Sequence, residues 1–243
     1  MDALIYTLMS GAERSMRAQQ VHANNLANLE TAGFRADMEM SVSQAVEGFG
    51  YDARHVTKLQ TNGISSREGA VRQTGRELDL AVQGAGYLAV QQGAGGAEAY
   101  TRAGNLQIDA EGALSVNGRP VLGDGGPIVL PPYSRMDIAT DGTISIQAPG
   151  QEAMQPVDKL KLVKADAAQL TKNVAGLLVT RSGDPLAADE TVKVQGGHLE
   201  GSNVSAVEEM VATMGLNRDF EVQMKLYKAA DSMAEAGNRL IRD

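Results

Sequence analysis

The sequence contains no cysteine and no tryptophan among its 243 residues. The missing cysteines exclude disulfide bonds, thiolate metal sites and cysteine nucleophiles, and they leave the redox compartment undetermined. Aromatic residues make up only 4% of the chain, whereas glycine occurs 27 times. Few large side chains and many turn-forming residues favour a modest core with many tight turns, as in a domain of short β-strands.

Positive charge and long apolar runs are scarce as well. Lys and Arg total 22 against 30 acidic residues, which gives a formal net charge of −8, and no basic cluster occurs. Nucleic acids and anionic membranes attract basic patches, so neither is expected as a partner. No apolar run approaches the roughly 18 residues needed to cross a bilayer, so no membrane insertion is expected. The N-terminus lacks the basic start of a cleaved signal, which predicts a cytoplasmic protein or export without signal cleavage.

Two long helices are predicted at the ends of the chain. In residues 1–34, apolar residues recur at three- and four-residue steps, which predicts a helix about 40 Å long that Gly33 closes in a left-handed conformation. In residues 202–243, Ser205 and Glu208 form a capping box at the start of the second helix, whose weakest point is Gly215. Because both apolar stripes are thin, the helices should pair as a coiled coil in one helical domain and need a further partner surface.

Between the helices the hydrophobic pattern changes to an alternating one. Residues 77–201 are predicted to form a compact all-β domain, because short apolar runs are separated by turn residues. Within them, Asn117-Gly118 and Asp141-Gly142 predict two tight hairpins. Residues 35–76 are predicted as a connecting region of loops joined by short strands, with loops at 48–51, at Asn62-Gly63 and at Glu68-Gly69. The fold class is therefore a mainly β central domain with α-helical termini.

No catalytic residue, cofactor or metal site is predicted from the residues. His22, His55 and His198 stand far apart and lack a second ligand at metal-binding spacing. The residues from Gly84 to Ala89 match the dinucleotide-binding pattern G-x-G-x-x-A, which requires a helix directly after the glycines. The residues after Tyr87 favour a strand instead. A nucleotide-binding enzyme that uses Gly84 and Gly86 is kept as an alternative, to be decided by the structure after Tyr87.

The functional surface predicted from the pattern is an apolar assembly seam on the terminal helices. Methionine side chains along the C-terminal helix suit a surface that packs against several non-identical neighbours. The residues assigned to this seam are Ile5, Leu8, Met16, Leu26, Val207, Met210, Met214, Phe220, Met224 and Tyr227. A soluble binding module whose long helices merely dimerise is a second alternative.

Four motifs resemble those of the axial proteins of the bacterial flagellum, namely its rod and hook subunits. The first consists of Asn24, Asn25, Leu26, Ala27, Asn28, Thr31, Gly33 and Phe34. Two further motifs lie in the β region, at residues 78–87 and at Tyr100-Thr101-Arg102-Ala103-Gly104-Asn105. The last follows Leu199 and Glu200 and consists of Gly201, Ser202, Asn203 and Val204. All four occur in the order and spacing of that family.

This resemblance implies a non-enzymatic structural subunit of the flagellar rod, located in the periplasm. The terminal helices would form the inner wall of a tube, ordering on assembly, and the β domain would stand outside it. Its partners would be further copies, other proximal and distal rod subunits, and the type III export apparatus, which would carry the unfolded chain without signal cleavage. The opening residues and the length are most similar to a proximal-rod subunit, and a distal-rod or hook-type subunit is the alternative.

Overall fold

The computed structural model describes residues 2–45, 55–93 and 96–242, and the chain divides into two compact units. The first unit comprises Met1–Ala27, Asp37–Gly63 and Ser205–Asp243. The second comprises Asn28–Ala36 and Ile64–Val204. By this division the segment after the first helix is grouped with the β-strands, and part of residues 35–76 is grouped with the helices. The predicted domain bounds stay a prediction.

The first unit contains two long α-helices, α1 (Asp2–Ala27) and α2 (Ala206–Arg242). α2 begins as the capping box predicts, since the Glu208 N–H donates to Ser205 Oγ at 3.4 Å, and it continues through Gly215 without a break. Gly33 has the predicted left-handed conformation, with a φ of 65°. It does not close the helix, because α1 already ends at Ala27. None of the described helices is long and apolar enough to span a lipid bilayer.

A two-stranded sheet of β1 (Asp37–Ala45) and β2 (His55–Ile64) adds to the first unit. One face of β1 is bound to α1, because Glu39 accepts a hydrogen bond from Arg14 and Asp37 accepts one from Asn24. The opposite face is apolar and exposed, and it carries Met38, Met40 and Val42. The predicted loop at 48–51 lies outside the described residues. The prediction of a loop at Asn62-Gly63 is wrong, because both residues are extended within β2, whereas Glu68-Gly69 lie outside the strands as predicted.

The second unit is built from short strands, all paired antiparallel where they form ladders. They are β3 (Val71–Gln73), β4 (Leu80–Val82), β5 (Gly86–Gln92), β6 (Ala97–Thr101), β7 (Leu106–Ile108), β8 (Leu114–Val116), β9 (Arg119–Pro120), β10 (Leu122–Gly123), β11 (Gly126–Pro127), β12 (Arg135–Ile138), β13 (Thr143–Gln147), β14 (Gln155–Lys159), β15 (Leu162–Lys164), β16 (Leu170–Lys172), β17 (Leu178–Thr180), β18 (Val194–Gly196) and β19 (His198–Glu200). The largest sheet has the order β15-β5-β6-β17-β16, and β12-β13-β14 and β7-β8-β9 form two smaller sheets. Strand β18 pairs with β4, β19 with β3, and β10 with β11. The chain is thus mainly β with a helix near each end.

Both predicted hairpin turns are confirmed. Asn117 and Gly118 have φ values of 50° and 74° and join β8 to β9, as a type I′ turn requires. Gly142, with a φ of 86°, joins β12 to β13. Asp141 stabilises this turn by accepting a hydrogen bond from the Thr143 N–H at 3.1 Å, and the hydrogen bonds from Thr143 lower the pKa of Asp141.

The hydrophobic core of the described residues lies in the second unit. A large cluster includes the fully buried Leu88, Ile128 and Ile144, and a smaller one surrounds Tyr100 and Val163. In the first unit, the buried apolar side chains among those described are the small ones of Ala18 and Ala230. Since apolar burial is the main favourable term in folding, the second unit holds most of the stabilising contacts.

Candidate assembly surface and the motif residues

The contact between α1 and α2 is made largely by small and polar side chains. Gln19 Nε2 donates to Asn217 Oδ1 at 2.9 Å, and His22 Nδ1 lies 2.5 Å from Glu209 Oε2. Because late residues of α1 contact early residues of α2, the helices are antiparallel. The α1 residues on this face alternate in steps of four and three, and they are Gly11, Ser15, Ala18, His22 and Asn25. Pairing of the two helices therefore leaves most large apolar side chains of α2 uncovered.

These uncovered side chains form an outer stripe at the start of α2. We use that name for Val207, Met210, Val211 and Met214, whose exposed fractions are 72%, 52%, 64% and 59%. Residues at such three- and four-residue steps share one face of a helix, and this face is turned away from Glu209 and hence from α1. A contiguous exposed apolar surface of this kind is typical of a site for protein association.

The structure distributes the predicted seam residues over more than one face. Met16, Val207, Met210, Met214, Met224 and Tyr227 are exposed, with Tyr227 at 38% the least so. Leu8, Leu26 and Phe220 are half-buried. The side chain of Ile5 lies outside the part of the chain whose side chains the structure describes. The hydrophobic pattern did not distinguish the face on which α1 and α2 pair from the exposed apolar face. The pairing face carries polar residues such as His22 and Glu209, which a hydrophobic pattern does not detect. Participation of these residues in assembly stays a prediction.

Asn25 explains part of the first motif within the first unit. Its side chain is 1% exposed, and its Nδ2 donates to the Asp37 carbonyl at 3.0 Å and to Glu209 Oε1 at 3.1 Å. Its Oδ1 accepts a hydrogen bond from the Asp37 N–H at 2.8 Å. Asn24 Nδ2 donates to Asp37 Oδ2 at 2.9 Å. Both asparagines therefore fix the start of β1 beside α1, and Asn25 also binds α2.

The motif residues that follow α1 and those of the last motif lie in the second unit, where residues 31–36 lie against residues 199–203. We call these two stretches the closure segments. The Gly33 N–H donates to the Glu200 carbonyl at 2.8 Å, and the Asn203 N–H donates to the Phe34 carbonyl at 3.2 Å. Asn203 Oδ1 also accepts a hydrogen bond from the Ala36 N–H at 2.7 Å. Both motifs are recognisable in the sequence, whereas the hydrogen bonds between them are not.

Local contacts account for other motif positions. Thr31 Oγ1 donates to Asn28 Oδ1 at 3.1 Å in the turn after α1, and Ala27 is the last residue of that helix. The Gly201 N–H donates to the Ala70 carbonyl at 2.9 Å. Ser202 Oγ accepts a hydrogen bond from the Val204 N–H at 3.3 Å. The motifs thus consist largely of residues that shape the chain where it enters and leaves the β unit.

Two residues of the closure segments, Arg35 and Glu200, form a buried ion cluster with Arg102. Arg35, Arg102 and Glu200 are 3%, 2% and 2% exposed. Arg35 Nη2 lies 2.9 Å from Glu200 Oε1, and Arg102 Nη1 lies 3.4 Å from Glu200 Oε2. Burial lowers the pKa of Arg102, and the negative charge of Glu200 opposes that effect. The position of Arg102 in the third motif was the available sequence signal for this cluster, but the motif alone does not indicate its partner.

The glycines that match the dinucleotide-binding pattern lie in a turn between two strands. Gly84 has a φ of 63°, its carbonyl accepts a hydrogen bond from Arg102 Nη2, and β5 begins at Gly86. A strand therefore follows where a phosphate-binding site needs the N-terminus of a helix, which contradicts the nucleotide-binding alternative.

A cavity of about 410 Å³ beside this turn is lined by cations and by the carboxylates of Glu68 and Asp166. Within the described residues, no His, Asp and Glu side chains are grouped to hold a metal ion.

Family models match three successive parts of the chain. The model described as "Flagella basal body rod protein" matches residues 5–35, which include the first motif. "Flagellar hook protein FlgE/F/G D1 domain" matches residues 81–146. "Flagellar basal body rod FlgEFG protein C-terminal" matches residues 195–240, which include the last motif and most of α2.

Relatives of similar length match the chain almost from end to end. The flagellar basal-body rod protein FlgF of Escherichia coli K12 is 41% identical over 250 residues, with 99% of each chain covered. The chain belongs to the flagellar basal-body rod protein family. FlgF of Salmonella typhimurium is 40% identical to this rod protein over an alignment of 249 residues, again with 99% of each chain covered. FlgG of Bacillus subtilis is 30% identical over an alignment of 256 residues, with 95% of this chain and 96% of FlgG covered.

Proposed function

We propose that this rod protein is a non-enzymatic structural subunit of the flagellar basal-body rod, in the proximal part that FlgF-type subunits form. The observation that carries the proposal is the outer stripe of α2, which stays exposed although α1 and α2 are paired. Apolar helix faces gain free energy when they are buried, so this surface favours association with further subunits. The FlgF proteins of Escherichia coli and Salmonella are 41% and 40% identical to the chain, against 30% for FlgG of Bacillus subtilis, which favours the FlgF position over the distal-rod or hook-type alternative.

The subunits would polymerise through their terminal helices, with coiled-coil pairing completed in the assembled state. Contacts between different surfaces of successive subunits generate an open helical assembly when the rotation does not close into a ring. The outer stripe and the pairing face lie on different sides of α2, as such contacts require. A module whose helices merely dimerise would need one self-complementary face, and the spread of exposed apolar residues over several faces of both helices does not favour it.

The partners would be further copies of the chain, other rod subunits and the flagellar type III export apparatus. The subunit would reach the periplasmic rod unfolded and without a cleaved signal. The absence of cysteine suits passage of an unfolded chain between compartments of different redox potential, because no disulfide can form on the way. No nucleic acid, membrane insertion or cofactor is part of this function.

The test replaces Met214 or Met224 by Asp in the full chain and introduces each variant into cells that lack the wild-type protein. A charge in the assembly surface should abolish motility and remove the protein from purified basal bodies, while the β unit keeps its fold. Val174→Asp is the matched control, because Val174 is a fully exposed apolar residue of the second unit. Normal motility and rod incorporation of both methionine variants would refute the proposed assembly surface.

A further inference from the structure

Glu200 connects several separate stretches of the second unit. Its Oε1 accepts a hydrogen bond from the Gly69 N–H at 2.9 Å and lies 2.9 Å from Arg35 Nη2. Its carbonyl oxygen accepts the hydrogen bond from Gly33, and its Oε2 lies 3.4 Å from Arg102 Nη1. Glu200, at the end of β19, therefore contacts three separate parts of the chain. These are the closure segment at residues 31–36, the segment before β3 and the residue directly after β6.

The two arginines of the cluster are held differently. Arg102 donates to the Val82 carbonyl at 2.5 Å and to the Gly84 carbonyl, and its guanidinium lies 5.4 Å from the centre of the Tyr87 ring. These contacts fix Arg102 to the β sheet. Arg35 belongs to the closure segment at residues 31–36, and its Nη1 donates to the Arg67 carbonyl. Release of that segment would therefore carry Arg35 out of the cluster.

The cluster contains two buried guanidinium groups and one buried carboxylate. Arg35 Nε, Arg102 Nε and Glu200 Oε2 are buried and make no hydrogen bond. A buried ion group of this kind contributes little net stability compared with apolar packing. Removal of one partner nevertheless destabilises the folded state strongly, because it leaves a buried charge uncompensated. The charge of Glu200 is what allows Arg35 to lie buried beside Arg102.

We propose that Glu200 is a positioning residue, and that with Arg35 and Arg102 it forms an ionic lock that holds the two closure segments together. Residues 31–36 follow α1 in the chain, and residues 199–203 precede α2. The lock thus fixes the chain just after one terminal helix and just before the other to the same place in the β unit. The proposal is independent of polymerisation and concerns the purified single chain.

The test measures hydrogen exchange of the full chain by mass spectrometry, with Glu200→Gln as the variant. Glutamine has the shape of glutamate but no charge, so the two arginines repel each other and residues 31–36 should be released. We expect exchange in residues 28–36 to accelerate at least about 100-fold, the effect of breaking a buried ion pair. Exchange in the hairpin of β12 and β13 should stay unchanged. Glu98→Gln is the matched control, because it breaks the Glu98–Lys161 pair of the same unit outside the closure segments.

A second variant separates the charge of the cluster from its packing. Glu200→Gln combined with Arg35→Met removes the charge that cannot be buried beside Arg102, so residues 28–36 should regain much of their protection. If the cluster acted by packing alone, the second substitution would add to the first and protection would fall further. Such additive loss would overturn the proposal, as would unchanged protection in Glu200→Gln. Equal loss of protection in β12 and β13 would overturn it too, because the cluster would then support the whole unit.

Discussion

Gly33 occupies a position at which both the backbone conformation and the available space require glycine. Its φ is 65°, and a Cβ at this residue would overlap the backbone of Arg102. Gly84 has almost the same φ, 63°, but no atom lies within 4 Å of the position of its Cβ. The two glycines therefore separate the cost of a left-handed conformation from the cost of a steric overlap.

We expect Gly33→Ala to lower the free energy of unfolding of the second unit by about 3 kcal/mol or more. The left-handed conformation accounts for about 1–2 kcal/mol and overpacking adds a similar amount. Gly84→Ala should lose only the first of these. The measurement is urea unfolding of each variant followed through the β signal in circular dichroism. Equal losses in both variants would contradict the overlap at Gly33.

Asn25 shows how a polar residue lies buried where α1 and α2 meet. Its amide makes three hydrogen bonds, two to the Asp37 backbone and one to Glu209. A buried polar group without partners would lower the stability of the folded state by about 1–3 kcal/mol. These contacts are therefore needed for the Asn25 side chain to be buried where α1 meets α2. The place of Asn25 in the first motif is therefore explained by the backbone groups of Asp37 and the carboxylate of Glu209 that it binds.

At the scale of elements, α2 contains a glycine that no contact requires. No atom lies within 4 Å of the position that a Cβ of Gly215 would take. Gly11 of α1 differs, because its Cβ would lie 3.4 Å from Gln223 Nε2, which donates to Ser15 Oγ. A methyl group is thus accommodated freely at Gly215 and only against a neighbouring side chain at Gly11.

We expect Gly215→Ala to stabilise the helices of the purified chain by about 1 kcal/mol, the difference in helix propensity between the two residues. Gly11→Ala should give a smaller gain, because the methyl group displaces Gln223. Thermal unfolding followed by the helix signal at 222 nm measures both effects. A loss of stability in Gly215→Ala would show that the glycine has a packing role that the structure does not contain.

The sequence predicted correctly those features that are determined by residues close together in the chain. The capping box located the start of α2, and the turn dipeptides located the hairpins at Asn117 and Asp141, because these signals act between close neighbours in the chain. The pairing face of the helices was not found, since the hydrophobic period cannot tell which of two stripes a partner helix will cover. The cluster of Arg35, Arg102 and Glu200 was also missed, because nothing local to Arg102 indicates a carboxylate so distant in sequence.

At the scale of the whole molecule, the two units differ in how much apolar surface they bury. The second unit contains both core clusters, whereas the described side chains that α1 and α2 bury are mostly small or polar. Polar contacts such as the one between His22 and Glu209 give the helix pair a defined register. They add little net stability, because the same groups form hydrogen bonds with water in the unfolded chain.

The helices of the purified chain should therefore open more often than the β unit does. Trypsin reaches a cleavage site when the surrounding structure opens, so its rate follows local stability. We expect the first cuts at Arg14, Arg17, Arg218, Lys225 and Lys228, which are exposed residues of α1 and α2. Cuts within residues 64–204 should follow much later, and purified rods that contain the protein should resist cleavage at the helix sites. Early cleavage within residues 64–204, with both helices intact, would show that the helix pair is more stable than the β unit. The proposal that the helices need neighbouring subunits to become stable would then lose its physical basis.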